Sequence, residues 1–123
     1  SSLEGAAVTA IKIKGASHEF TTLTGVYEDV VDIVLNVKNL IIRLDTDEPR
    51  TLRLAARGPG EVTADLIEAD TSVTILNKDL VLATLTEAVD FEMELRVAKG
   101  RGYVPASEQY ANQQEDQEIG LIP

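Results

Sequence analysis

His18 is the single histidine of the chain, and it stands within Ser17-His18-Glu19-Phe20. General acid–base work needs an imidazole within reach of a reacting proton and a partner that orients it. On a strand, sequence neighbours point to opposite faces, so Glu19 cannot orient His18. A structural histidine is the expectation. Two acidic clusters, Asp45-Asp47-Glu48 and Glu115-Asp116-Glu118, raise the question of a divalent cation. A calcium loop wants spaced oxygen ligands, a central glycine and a distal glutamate. Neither cluster has that order, and Pro49 closes the first one early. Both read as solvated charge. Gly58-Pro59-Gly60 lacks the following Lys-Ser/Thr and long helix of a phosphate cradle, so it reads as a turn. With no cysteine there is no disulfide and no thiolate metal site. The aromatic residues are Phe20, Phe91, Tyr27, Tyr103 and Tyr110, with no tryptophan, and nothing marks a sugar-binding cleft between paired carboxylates.

Composition narrows the class further. The chain has 123 residues, the length of one domain, and carries 21 acidic against 11 basic side chains for a net charge of -10. A phosphate backbone is repelled by such a field. The basic residues are scattered: Lys12 and Lys14 form a small pair, and Arg50, Arg53 and Arg57 line a candidate strand. Direct nucleic-acid contact is therefore not expected, while basic protein partners are favoured. No apolar run approaches the ~20 residues that span a bilayer, and no signal-peptide pattern opens the chain.

Positioning elements follow from periodicity. Asp90 to Val97 alternate strictly, with Phe91, Met93, Leu95 and Val97 on one face and Asp90, Glu92, Glu94 and Arg96 on the other. That is the pattern of a half-buried strand. Val8 to Lys14 reads as a strand, with Ser17 to Thr22 as its hairpin partner across Gly15-Ala16. Leu40 to Leu44 is a short apolar run, and Thr51 to Arg57 alternates. Thr63 to Ile67 suggests one helical turn; Val73 to Leu76 and Leu80 to Thr86 are two strands joined by Asn77-Lys78-Asp79. Ser107 to Gln117 is polar, and residues 107–118 are expected to form a mobile loop. Strands dominate around one helix, so the class is α+β with a mostly antiparallel or mixed sheet.

That helix is expected to start at Thr24 or Gly25, with Glu28 and Asp29 in its first turn and Lys38 in its last. Val26, Val30, Ile33, Val34 and Val37 fall on one face, the core stripe. Val31 and Leu35 then lie on the far side, and Lys38 continues their row. Glu28 and Asp32 flank it. A second apolar row rimmed by charge is how a helix meets another protein, although cover by a loop of the same domain gives the same pattern.

After the last strand comes Lys99-Gly100-Arg101-Gly102-Tyr103-Val104-Pro105-Ala106. Its two glycines break the strand and Pro105 fixes the exit. This octapeptide resembles a signature of the α subunit of bacterial RNA polymerase, in the part of the N-terminal region inserted into the dimerisation domain. Other segments are similar to that family in the same order. They are Ser1-Ser2 with Gly5-Ala6-Ala7-Val8-Thr9, then His18-Glu19-Phe20, then Gly25-Val26-Tyr27-Glu28-Asp29-Val30 running to Leu35-Asn36-Val37-Lys38. Gly58-Pro59-Gly60-Glu61-Val62-Thr63-Ala64, Ala83-Thr84-Leu85 and Ile119-Gly120 complete the set. The resemblance runs end to end.

The resemblance implies a non-catalytic assembly module, residues 1–123, with no cofactor and no metal. The nucleotidyl-transfer chemistry would belong to the large subunits. It implies partners in the β and β′ subunits, contacted through Glu28, Val31, Asp32, Leu35 and Lys38, where Lys38 matches a position implicated in contact with the β subunit. It also implies contact between Glu115, Asp116 and Glu118 and a transcription activator, with Gln117 interrupting the run. The full subunit would be a homodimer, this segment alone a monomer, and its place the bacterial cytoplasm with the nucleoid. Glu4 stands where the family usually has proline and Leu121 where arginine is frequent, both at the junction with the parent domain. The two ends should lie close together, as an insert requires. An acidic, β-rich ligand-binding or small hydrolytic domain is the alternative of a different class, and a pocket with convergent polar groups would mark it.

Overall fold

A computed structural model describes residues 5–100 and 118–120. The alternating segment forms the longest strand, β7 (Asp90–Lys99), and its even and odd residues separate as the pattern predicts. Phe91, Met93, Leu95 and Val97 are buried, while Asp90 and Glu92 are exposed. β7 pairs antiparallel with β3 (Arg50–Arg57) on one side and β1 (Ala6–Ile13) on the other. Beyond β1 come β2 (Ile42–Leu44) and β5 (Val73–Ile75), completing the order β3-β7-β1-β2-β5. A short strand, β8 (Glu118–Gly120), also pairs with β1. A second, two-stranded sheet joins β4 (Gly60–Thr63) to β6 (Val81–Leu85), and a 3-10 turn over Ala64–Leu66 follows β4. The single α-helix among the described residues is α1 (Val30–Val37). The class is α+β, as expected.

The core lies between the inner face of the large sheet and a layer made of α1 and the small sheet. Ile11, Ile13, Leu54, Leu95 and Val97 meet Ile33, Val37 and Leu82 there, all almost fully buried. Each such side chain contributes about 1.5–3 kcal/mol of transfer free energy.

Several expectations are corrected. Ser17–Thr22 is not a strand. β1 has no edge left for it, because β7 takes one side and β2 and β8 share the other. The segment instead closes locally: the Thr21 hydroxyl oxygen accepts from the amides of Ser17 and His18, each at 3.3 Å. Such side-chain bonds compete with a ladder. Val73–Ile75 and Val81–Leu85 are both strands, as expected, and they enter different sheets. Gly60 begins a strand rather than only ending a turn. The loop expected over 107–118 lies outside the described residues except at Glu118, which opens β8 opposite Lys12. Glu4 and Leu121 also lie outside them, as do both chain ends.

Gly58 carries the tightest glycine constraint. A Cβ added there meets the backbone carbonyl of Glu87 and comes within 2.6 Å of the Leu85 Cβ. Gly58→Ala is expected to destabilise the chain by about 1–3 kcal/mol, the range for overpacking, and to lower the urea midpoint with an unchanged slope.

Candidate functional site

The helix starts later than its sequence suggests. Asp29 is the N-cap, with extended backbone and no side-chain capping bond, and Val30 is the first helical residue. The residues before it are drawn off by the outer edge of β6. Val26 bridges to Leu85, the Tyr27 amide donates to the Thr84 carbonyl at 2.9 Å, and the Thr86 amide donates to the Gly25 carbonyl at 2.8 Å. Gly25, at φ +80°, makes the turn that allows this approach. Glu28 therefore lies outside the first helical turn, not within it. Its carboxylate reaches back to β6, accepting from the Thr84 amide at 2.7 Å and the Thr84 hydroxyl at 3.0 Å.

Two asparagines that sequence reasoning passed over hold the rest. Asn36 donates through Nδ2 to the Leu82 carbonyl at 3.0 Å, again on the outer edge of β6. Asn77 donates to the Asn39 carbonyl at 3.0 Å and accepts from the Ile41 amide at 2.8 Å. That bracket ends the helix at Val37, so Lys38 is its C-cap rather than part of its last turn. A polar residue set among apolar ones, Asn36 between Leu35 and Val37, was the available signal.

The core stripe is as expected for Val30, Ile33 and Val37, which are buried, and Val34, which packs against them. Val26 packs on the core from the bridge to β6 rather than from the helix. On the opposite side Val31 is half-buried, Leu35 is 56 % exposed, and Asp32 and Lys38 are exposed. The structure thus brings Val31, Leu35 and Lys38 into one outward row with Asp32 at its border. Glu28 is set apart, engaged with the small sheet. Tyr27, which precedes the helix, is also exposed.

Elsewhere the residues weighed for chemistry stay apart. His18 is exposed, and its Nδ1 accepts from the Phe20 amide at 3.0 Å. Asp45, Asp47 and Glu48 are exposed, with Asp47 paired to Lys99 at 3.2 Å. Glu115 and Asp116 lie outside the described residues. An open groove of about 280 Å³ on the outer sheet face is lined by Lys12, Lys14, Arg53, Glu68, Glu92 and Glu94 among others. Its charges answer each other: Arg53 meets Glu94 at 2.6 Å and Lys14 meets Glu92 at 4.0 Å. The groove carries three cations and three carboxylates, four of these six in surface ion pairs.

Residues 11–123 match the family described as the RNA polymerase Rpb3/RpoA insert domain. The chain belongs to that family. This insert domain is similar over all its 123 residues to proteins named DNA-directed RNA polymerase subunit alpha. That of Symbiobacterium thermophilum is 55% identical, with 38% of its length covered. Those of Rhodopirellula baltica and Alkaliphilus metalliredigens are 53% and 51% identical, with 36% and 38% covered. The insert domain therefore spans little more than a third of these relatives.

The Glu28 clamp yields a stability prediction. Glu28→Ala leaves the Thr84 amide and hydroxyl without their partner and should cost about 1–3 kcal/mol in chemical denaturation. Glu28→Gln, which keeps an acceptor oxygen, should recover at least half of that loss.

Proposed function

We propose that this insert domain is a non-catalytic scaffold of the α subunit of bacterial RNA polymerase, holding the β and β′ subunits during assembly of the core enzyme. The observation that carries the reading is the outward row of Val31, Leu35 and Lys38. It sits on a helix whose other face is locked into the core and whose preceding segment and C-terminal turn are tied to neighbouring backbone. A rigid exposed aliphatic row bordered by charge suits a helix-to-groove contact, because little ordering remains to be done on binding. The nucleotidyl-transfer chemistry belongs to the partners. In this reading the module works in the bacterial cytoplasm with the nucleoid, and the complete subunit is a homodimer. Among the described residues no helix is long and apolar enough to cross a membrane.

Strand register supports insertion into a host domain. Gly120 on β8 pairs with Ala10 on β1, four residues from the start of that strand, so the described chain returns to the strand on which it begins. The pairing of groove charges with one another, described above, disfavours the hydrolytic alternative.

Leu35→Glu places a charge in the middle of the proposed contact. Co-purification of the subunit with β is expected to be lost, while the folding stability of the chain changes by no more than about 0.5 kcal/mol. Retained co-purification would remove the reading. The acidic run Glu115, Asp116 and Glu118 is proposed to attract a basic transcription activator, a long-range effect that salt weakens. Reversing the charges of Glu115 and Asp116 should lower activated transcription and leave basal transcription unchanged, as compared in run-off assays.

A further inference from the structure

We infer that an apolar row across the outer face of the large sheet, Leu76–Ile41–Ala7, is the seat of the host part of the same subunit. The inference rests on the reading that this chain is inserted in a longer polypeptide. Ile41 and Leu76 are 54% and 53% exposed, and the Leu76 amide donates to the Ile41 carbonyl at 2.9 Å. Ile42 pairs with Ala6, which sets Ile41 beside exposed Ala7, and Ala7 pairs in turn with Ala98. Leu76, Ile41 and Ala7 therefore present aliphatic or methyl side chains in one line, which ends at the buried Ala98. Rows further along the same face are ionic, with Lys12, Glu94 and Arg53 in register. An apolar row between exposed Arg43 on one side and ionic rows on the other calls for a cover.

The position of the chain's connections says what that cover is. β7 occupies one edge of β1 from Ala6 to Ile13, so β2 and β8 must share the other. Both run antiparallel to β1, which aims the end of β8 at the start of β2. Gly120 pairs with Ala10, and Ile41 lies at the level of Ala7, roughly 10 Å further along the edge. At Gly120 the strand is thus directed toward Ile41. Gly5 lies at the other border of the row, next to Ala6 and Ala7, and its carbonyl accepts from the Gly100 amide at 3.1 Å. Any domain attached at both points is held against these side chains at an effective concentration of about millimolar, which favours a small apolar contact that free partners would not form. In the relatives named above, more than three-fifths of the subunit lies outside the matched segment. The host surface that meets the row is apolar.

The absence of cysteine makes a labelling test direct. Leu76→Cys and Ala7→Cys are introduced singly, with Ala55→Cys, exposed on the same face in β3, as the reference. Maleimide labelling rates are measured for this chain and for the full-length subunit with its other cysteines replaced by serine. Both row positions should label about tenfold more slowly in the full-length subunit, and Ala55→Cys equally in both. Adding the large subunits should not change the row rates again. Equal rates in the two proteins would overturn the inference. So would protection that appears only with the large subunits, since it would assign the row to them. Co-purification of Leu35→Glu reads the α1 contact separately, so either reading can fail without the other.

Discussion

The outer edge of β6 is where the molecule commits its helix. Every polar backbone group named along that edge is taken by the segment that carries α1: the Leu82 carbonyl by Asn36, the Thr84 amide by Glu28, the Thr84 carbonyl by Tyr27 and the Thr86 amide by the Gly25 carbonyl. An open strand edge is a hazard because it pairs with whatever extended chain it meets. Here the edge is closed by a mixture of backbone and side chain. That closure turns the helix so that Val30, Ile33 and Val37 point inward and Leu35 points out. The outward row is thus a by-product of satisfying a sheet.

The large sheet divides its two faces in a complementary way. Its inner face is aliphatic and nearly dry, which supplies the burial that holds the fold. Its outer face carries cross-strand pairs such as Arg53–Glu94 and Arg57–Asp90, at 2.6 and 2.8 Å. Exposed pairs of this kind contribute about 0–1 kcal/mol each. Their larger effect is on register, since a one-residue slip would bring aliphatic side chains to the surface and charges to the core.

Sequence periodicity disclosed what depends on neighbours along the chain. The alternation from Phe91 to Val97 marked β7, and the stripe Val30, Ile33, Val37 marked the buried face of α1, because burial on one side imposes a period on local sequence. The outward row of Val31, Leu35 and Lys38 was legible for the same reason. What stayed hidden depends on partners distant in sequence. Nothing local says that Gly25 to Glu28 will leave the helix to pair with residues near 85, or that Ser17–Thr22 will find β1 already occupied. The same holds for Asn77, whose side chain brackets backbone some forty residues earlier.

The irregularity in β1 between Val8 and Ala10 has its own consequence. An extra residue shifts the inward positions from even to odd numbers, so Val8 and Ile11 both face the core while Thr9 is buried with its hydroxyl near the Arg96 carbonyl. Bulges of this sort steepen the local twist of a strand. The kink falls between the part of β1 that receives β8 and the part that receives β2. It therefore acts as a wedge setting the pitch between the two halves of that edge. Deleting a single amino acid there would not merely shorten a strand; it would rotate one half of the sheet against the other, like a changed angle at a hinge pin.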